Sequence, residues 1–174
     1  MNKGFTLIEV LVTAFIIGII STVILLNYRT GQDEASLTRS AAAFETEIRR
    51  AQNLAVASSE FNGLIPCGYG LHYVDNRSFS LYAGGLGGAA SCQSANHNFQ
   101  SGTDSVFQSL KIIEQRVVFK SVFSDIFFEP PDPAVYVNDS RAAGVSTVVE
   151  LCLETDLTVC RNLTVDTAGR ISTQ

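Results

Sequence analysis

The chain begins with a long apolar run. Residues 5–26 (FTLIEVLVTAFIIGIISTVILL) carry one ionisable side chain, Glu9. At roughly 1.5 Å of rise per residue, a helix of about 22 residues covers about 33 Å, the thickness of a bilayer core. A cleaved secretory signal has a shorter apolar region followed by a site of small residues, and this run has neither. The pattern therefore predicts a membrane-spanning helix over residues 5–28 that stays attached.

The pattern then changes to one helical stripe. Its positions recur in alternating steps of four and three, which is typical of a helix with one buried face. Asn62-Gly63 supplies a helix stop. An amphipathic helix is therefore predicted over residues 29–62, continuous with the first helix to about Glu60. The stripe consists of Leu37, Ala41, Phe44, Ile48, Ala51, Ala55 and Ser58.

The remaining residues, 63–174, are predicted to form a β-rich globular head. The turn Asp75-Asn76-Arg77 predicts a hairpin. One segment, residues 112–118, fits a helix as well as a strand. The expected fold is α+β, with the amphipathic half of the helix packed on an antiparallel sheet. The predicted strands are residues 69–74, 78–83, 111–119, 125–129, 146–153 and 158–165.

Two stretches break this pattern. The glycine-rich residues 84–88 lack the Lys-Ser/Thr of a phosphate-binding loop, and they predict a flexible loop. Residues 129–133 (EPPDP) are expected to form a connection at the edge of the head, because proline has no amide donor for a central strand.

Composition limits the classes of function. The 174 residues, 46% of them hydrophobic, suffice for one domain plus an extra element. The net charge of -5 does not favour wholesale nucleic-acid binding, so only a local basic patch could contact DNA.

The four cysteines predict an oxidising environment for the head, because their number is even and all lie beyond the apolar run. Cys152 and Cys160 flank a predicted hairpin turn, which favours pairing them and leaves Cys67 with Cys92. Buried free thiols are the alternative. There is no CxxC spacing to suggest zinc or a thioredoxin-like site.

No residue pattern predicts catalysis, a metal or a cofactor. His72 and His97 lack the i, i+4 spacing of a metal pair and have no acidic partner nearby in sequence. A set of oxygen donors could bind calcium, but no loop has the spaced calcium-ligand pattern. These donors are Asp132, Asp139, Asp156, Asp166, Asn138 and Asn162.

The first residues carry a resemblance to a known family. Met1-Asn2-Lys3-Gly4 is a polar, basic stub that fits a cytoplasmic leader, and cutting after Gly4 would create a positive charge on Phe5 that could pair with Glu9. Residues 3–12 (KGFTLIEVLV) resemble the processing motif of type IV prepilins and type II secretion pseudopilins.

The resemblance implies a sequence of events. A prepilin peptidase, a membrane aspartyl enzyme, cuts after Gly4 and methylates Phe5. The single-pass subunit waits in the lipid of the bacterial inner membrane with its head extracytoplasmic. A cytoplasmic ATPase and an assembly platform then insert it into a pilus or pseudopilus, where Glu9 meets the amino terminus of a neighbouring subunit. The motif leaves open a pilus, a secretion pseudopilus or a competence filament.

The head is similar, less specifically, to H-type minor pseudopilins and related minor pilins. Residues 47–55, 125–130 and 165–171 carry this similarity, which favours a minor over a major subunit. The sequence departs from that group after residue 130.

Some minor pilins of this kind bind DNA through basic head residues. By this similarity Arg161 and Arg170 are the candidate equivalents, with Arg141 as a third, although the solvated-surface interpretation is favoured. The competing class is a membrane-anchored extracytoplasmic binding module, an adhesin or DNA-uptake receptor. No sequence motif supports a third class, a membrane-tethered hydrolase.

Overall fold

The computed structural model describes residues 6–85, 92, 95–112, 114–130 and 134–174, without the side chains of 25–27 and 29. It divides into two compact units, one ending at Ala35 and the other spanning Ser36–Gln174. Helix α1 (Leu7–Val56) contributes to both units. The α+β fold class is confirmed, with the sheets described below.

The first unit contains the apolar part of α1. The segment Leu7–Ile24 has a mean hydropathy of 2.5 and is long and apolar enough to cross a membrane. None of its residues is buried within the protein. These side chains therefore need an apolar environment supplied from outside the subunit, by lipid or by other helices.

Helix α1 ends at Val56, before the predicted Glu60. Ser58 takes up the left-handed conformation (φ 45°), and the Ser59 amide donates to the Leu54 carbonyl at 3.1 Å, as in a Schellman motif. The predicted stop, Asn62-Gly63, instead forms the next tight turn. Both of its residues have positive φ, as a two-residue turn of this kind requires.

The head of the described chain contains two antiparallel sheets. The larger has the order β3-β2-β1-β5-β6 and the smaller β4-β7-β8-β9. The strands are β1 (Gly68–Asp75), β2 (Ser78–Gly84), β3 (Ser105–Lys111), β4 (Val117–Phe119), β5 (Ile126–Glu129), β6 (Ala134–Val137), β7 (Ser146–Leu153), β8 (Asp156–Asp166) and β9 (Ile171–Thr173).

One predicted strand is wrong, and three strands were missed: β3, β6 and the three-residue β9. Residues 111–119 are not one strand, nor do they form the alternative helix, because β3 ends at Lys111 and β4 starts at Val117 after a turn. β3 itself was missed because it is a half-exposed edge strand with four polar residues in seven. β6 was missed because it has only four residues and directly follows the proline-rich connection.

The helical stripe packs against both sheets, which explains its spacing. Ile48 and Ala51 are fully buried, and Phe44 is 3% exposed. The Phe44 ring makes an edge contact with Phe79 of β2 at 4.9 Å and with Phe119 of β4 at 5.5 Å. The stripe is confirmed from Leu37 to Ala55, whereas Ser58 lies beyond the end of the helix.

Candidate assembly site and the polar face of the head

The start of α1 holds the Glu9 carboxylate in place. Thr6 donates to Glu9 Oε2 through its backbone N–H and through Oγ1, at 3.1 Å each. In return, the Glu9 N–H donates to Thr6 Oγ1 at 3.3 Å. A Thr followed three residues later by Glu forms such a capping box, which satisfies amides that lack partners in the first helical turn.

This geometry leaves one carboxylate oxygen available. Both bonds from Thr6 reach Oε2, and no residue in the described chain donates to Oε1 of Glu9. The side chains around it are apolar and exposed, with Leu7 83% and Ile8 65% accessible. The carboxylate is thus fixed at the end of an apolar helix with room for a positively charged partner. The role of Thr6 was not predicted from the sequence, although Thr6 lies three residues before Glu9, which is the spacing of a capping box.

The predicted cleavage and methylation residues, Gly4 and Phe5, lie outside the described residues. The described chain starts at Thr6, one residue after the expected junction. The roles of both residues stay predictions from the sequence.

The head contains two disulfides, with the same pairing that the sequence favours. Cys67, just before β1, is bonded to Cys92 in the loop between β2 and β3. Cys152 and Cys160 face each other across the β7–β8 hairpin and are bonded. The Cys67–Cys92 bond therefore ties the β2–β3 loop to the start of β1. The Cys152–Cys160 bond reinforces β7 and β8, which are already paired by backbone hydrogen bonds.

Both histidines have an aspartate partner that is distant in sequence. His97 stacks on the Tyr136 ring at 3.6 Å, and its Nδ1 lies 2.6 Å from Asp139 Oδ1. His72 Nδ1 lies 2.8 Å from Asp125 Oδ1. In the described chain, no group of three or more His, Cys, Asp or Glu is placed to hold a metal. The two pairs therefore join segments of the head.

A buried tyrosine lies beside these pairs. The Tyr82 hydroxyl donates to the His97 carbonyl at 2.7 Å, and the side chain is fully buried. Burial, reinforced by the charges of Asp125, Asp104 and Asp139, raises the pKa of Tyr82 far above its usual range. The phenol therefore stays neutral and acts as a hydrogen-bond donor.

The candidate calcium donors that lie in described residues do not form a group of three or more carboxylates. Asp156 accepts from Thr158, Asp166 accepts from Arg170, and Asp139 accepts from His97. These bonds hold the pKa values of all three carboxyls below their usual range. Asp156 and Asp166 thus stabilise their own turns, whereas Asp139 joins two segments of the head. Asp132 lies outside the described residues.

The two arginines proposed to contact DNA are not brought together. Arg161 lies within β8, whereas Arg170 lies in the β8–β9 turn beside Asp166. Five strand positions separate Arg161 from Asp166, which corresponds to about 16 Å. Arg170 is 80% exposed but bonded to the Asp166 carboxylate at 2.9 Å, which offsets its charge. Arg141 lies beside Tyr136.

The comparison with protein families bears on the N-terminal segment. Residues 1–25 match the prokaryotic N-terminal methylation motif. This match covers the N-terminal segment and supports a type IV pilin-like precursor. The motif and the apolar helix together fit membrane anchoring. No curated protein and no solved structure matches the chain.

Proposed function

We propose that the chain is a minor type IV pilin or a type II secretion-like pseudopilin that acts by assembly and has no catalytic activity of its own. The observation that carries the proposal is a carboxylate held at the start of an apolar helix, within a matched N-terminal methylation motif. A prepilin peptidase cuts between Gly4 and Phe5 and methylates Phe5. The mature chain then begins one residue before the capping box.

Glu9 acts through charge pairing. An ammonium group and a carboxylate are each costly in hydrocarbon when unpaired, so each favours the position in which it meets the other. Glu9 Oε1 offers an acceptor for the Phe5 ammonium of an adjacent subunit, while Thr6 occupies Oε2. The pair therefore sets the axial register of neighbouring helices as well as neutralising both charges.

The division of the chain follows from this role. Residues 1–4 form the leader, 5–28 the membrane and filament-core helix, 29–62 the amphipathic segment and 63–174 the head. The subunit spans the bacterial inner membrane once, with its head outside, and contacts lipid, the peptidase, an assembly platform and other pilin subunits in turn. Two disulfides in the head support an extracytoplasmic location.

The decisive experiment replaces Glu9 and follows processing and incorporation separately. Glu9→Ala is expected to be inserted and cleaved as in the wild type but to be absent from sheared filaments. Glu60→Ala, which removes an exposed carboxylate beyond the end of α1, is the matched control and is expected to assemble normally. Normal incorporation of Glu9→Ala would refute the charge-pair mechanism.

Mass spectrometry of the mature subunit tests the processing step independently. The expected N-terminal residue is methylated Phe5. A subunit that retains Met1 in a host with an active prepilin peptidase would overturn the assignment. The copy number of the subunit in purified filaments then distinguishes a minor from a major component.

A further inference from the structure

A ten-residue segment between β2 and β3 lies across the face of the larger sheet that is turned away from α1. We name residues 95–104 the strap. Side chains alternate between the two faces of a strand. In β5, Ile126 and Phe128 belong to the core that includes α1, so Phe127 points to the opposite, outer face. His97 of the strap packs on the Phe127 ring at 5.2 Å.

Aromatic rings fill the space between the strap and the sheet. Phe99 contacts Tyr82 at 5.3 Å and His72 at 4.6 Å, while His97 stacks on Tyr136. The sheet makes room for these rings with glycines. A Cβ on Gly70 would collide with the Tyr82 ring. The outer face is therefore a second apolar layer that the strap covers.

The strap is fastened by side chains and not by strand pairing. The His97 amide donates to Asp139 at 3.0 Å, and the Phe99 amide donates to Asp125 at 2.7 Å. The Gln100 amide donates to Asp104 at 2.8 Å, within the strap itself. In the described part of this segment, no backbone ladder joins the strap to a strand of the sheet.

The one covalent fastening is the bond between Cys67 and Cys92. Cys67 is 4% exposed and directly precedes the central strand β1. Cys92 lies three residues before the strap. A segment without its own ladder loses much conformational entropy when it is ordered, and the cross-link removes part of that loss.

We propose that the Cys67–Cys92 disulfide is a redox latch for the strap, a role beyond assembly. When the bond forms, the two thiols lose two protons and two electrons to a disulfide donor of the thiol oxidoreductase class, which is reduced to a dithiol. The oxidised head keeps its aromatic outer face covered. Reduction by a dithiol reverses the exchange, releases the strap and uncovers Tyr82 and Phe127, while α1 and the smaller sheet stay folded.

Hydrogen exchange of the full-length chain in detergent tests the latch. In Cys67→Ser/Cys92→Ser, the amides of His97 and Phe99 are expected to exchange at least about tenfold faster than in the wild type, because the open strap gains conformational entropy when the cross-link is absent. Amides in β7 and β8 are expected to keep wild-type rates. Cys152→Ser/Cys160→Ser is the matched control and should leave the exchange of the strap unchanged.

Two outcomes would overturn the proposal. Wild-type exchange in the strap of Cys67→Ser/Cys92→Ser would show that its non-covalent contacts suffice. Faster exchange across β7 and β8 as well would show that the bond supports the whole head. If this variant does not fold, the folded Cys152→Ser/Cys160→Ser chain, in which Cys67–Cys92 is the remaining disulfide, is treated with dithiothreitol and the same amides are followed, with the same two outcomes counting against the latch. Neither result depends on whether the chain enters a filament.

Discussion

The capping box at the start of α1 gives Thr6 a role that can be separated from that of Glu9. Thr6→Val removes the hydroxyl that both donates to and accepts from Glu9. Loss of such a cap costs about 1 kcal/mol and frays the first turn. We expect normal cleavage but reduced incorporation into sheared filaments. Thr6→Ser retains the hydroxyl and should restore incorporation. Equal incorporation of the Val and Ser variants would show that the cap does not position Glu9.

Acid should weaken the fold through Asp139. Hydrogen bonds from the His97 backbone and side chain, together with the charge of His97, lower the pKa of this carboxyl from 3.8. Because the folded pKa lies below the unfolded one, the stabilisation is complete above about pH 4 and is lost as pH falls through the folded pKa. We expect Asp139→Asn to lower the melting temperature at pH 6 and to reduce its further fall toward pH 2. An unchanged fall in the variant would contradict this.

At the scale of elements, the two disulfides should contribute unequally to stability. The Cys67–Cys92 bond spans 25 positions and the Cys152–Cys160 bond spans 8. Loop-closure entropy assigns about 3.5 kcal/mol to the first and about 2.5 kcal/mol to the second. The second contribution should be smaller still, because β7 and β8 are paired without it. Denaturant unfolding of the two double Ser variants measures the difference, and a larger loss for the hairpin pair would refute this ranking.

The packing of α1 on both sheets makes Phe44 the most sensitive position of its stripe. Phe44→Ala leaves a cavity between β2 and β4 and should lower the free energy of unfolding by about 3–5 kcal/mol. Ala42→Ser, on the exposed face of the same helix, should change it by less than about 0.5 kcal/mol. Chemical denaturation measures both. A loss below about 1 kcal/mol for Phe44→Ala would mean that the ring is not central to the core.

Elements with strong periodicity could be predicted from the sequence. The stripe of α1 and the β1–β2 hairpin depend on spacing and turn chemistry, which are local. β3 could not be predicted, because an edge strand owes its conformation to pairing with β2 and not to its own half-polar residues. The helix end was predicted too late because Ser58, a residue without strong left-handed preference, terminates α1.

At the scale of the whole molecule, the candidate residues also divide into those that local spacing predicts and those that depend on contacts distant in sequence. Glu9 and the cysteine pairing follow from spacing within the sequence. The partners of the histidines do not, because His97 and Asp139 are 42 positions apart and meet only when β6 is paired. The covered outer face was not predicted either, because its contacts are also distant in sequence and no local pattern predicts that residues 95–104 fold back over the sheet.

The buried stripe of α1 has a mechanical consequence. Within the head, residues 37–55 of α1 lie in the shared core, where Phe44 touches both sheets. A pulling force applied along the helix is therefore borne by many buried side chains in shear. Separating this part of the helix from the sheets would expose its buried stripe to water, so the shared core opposes such a force.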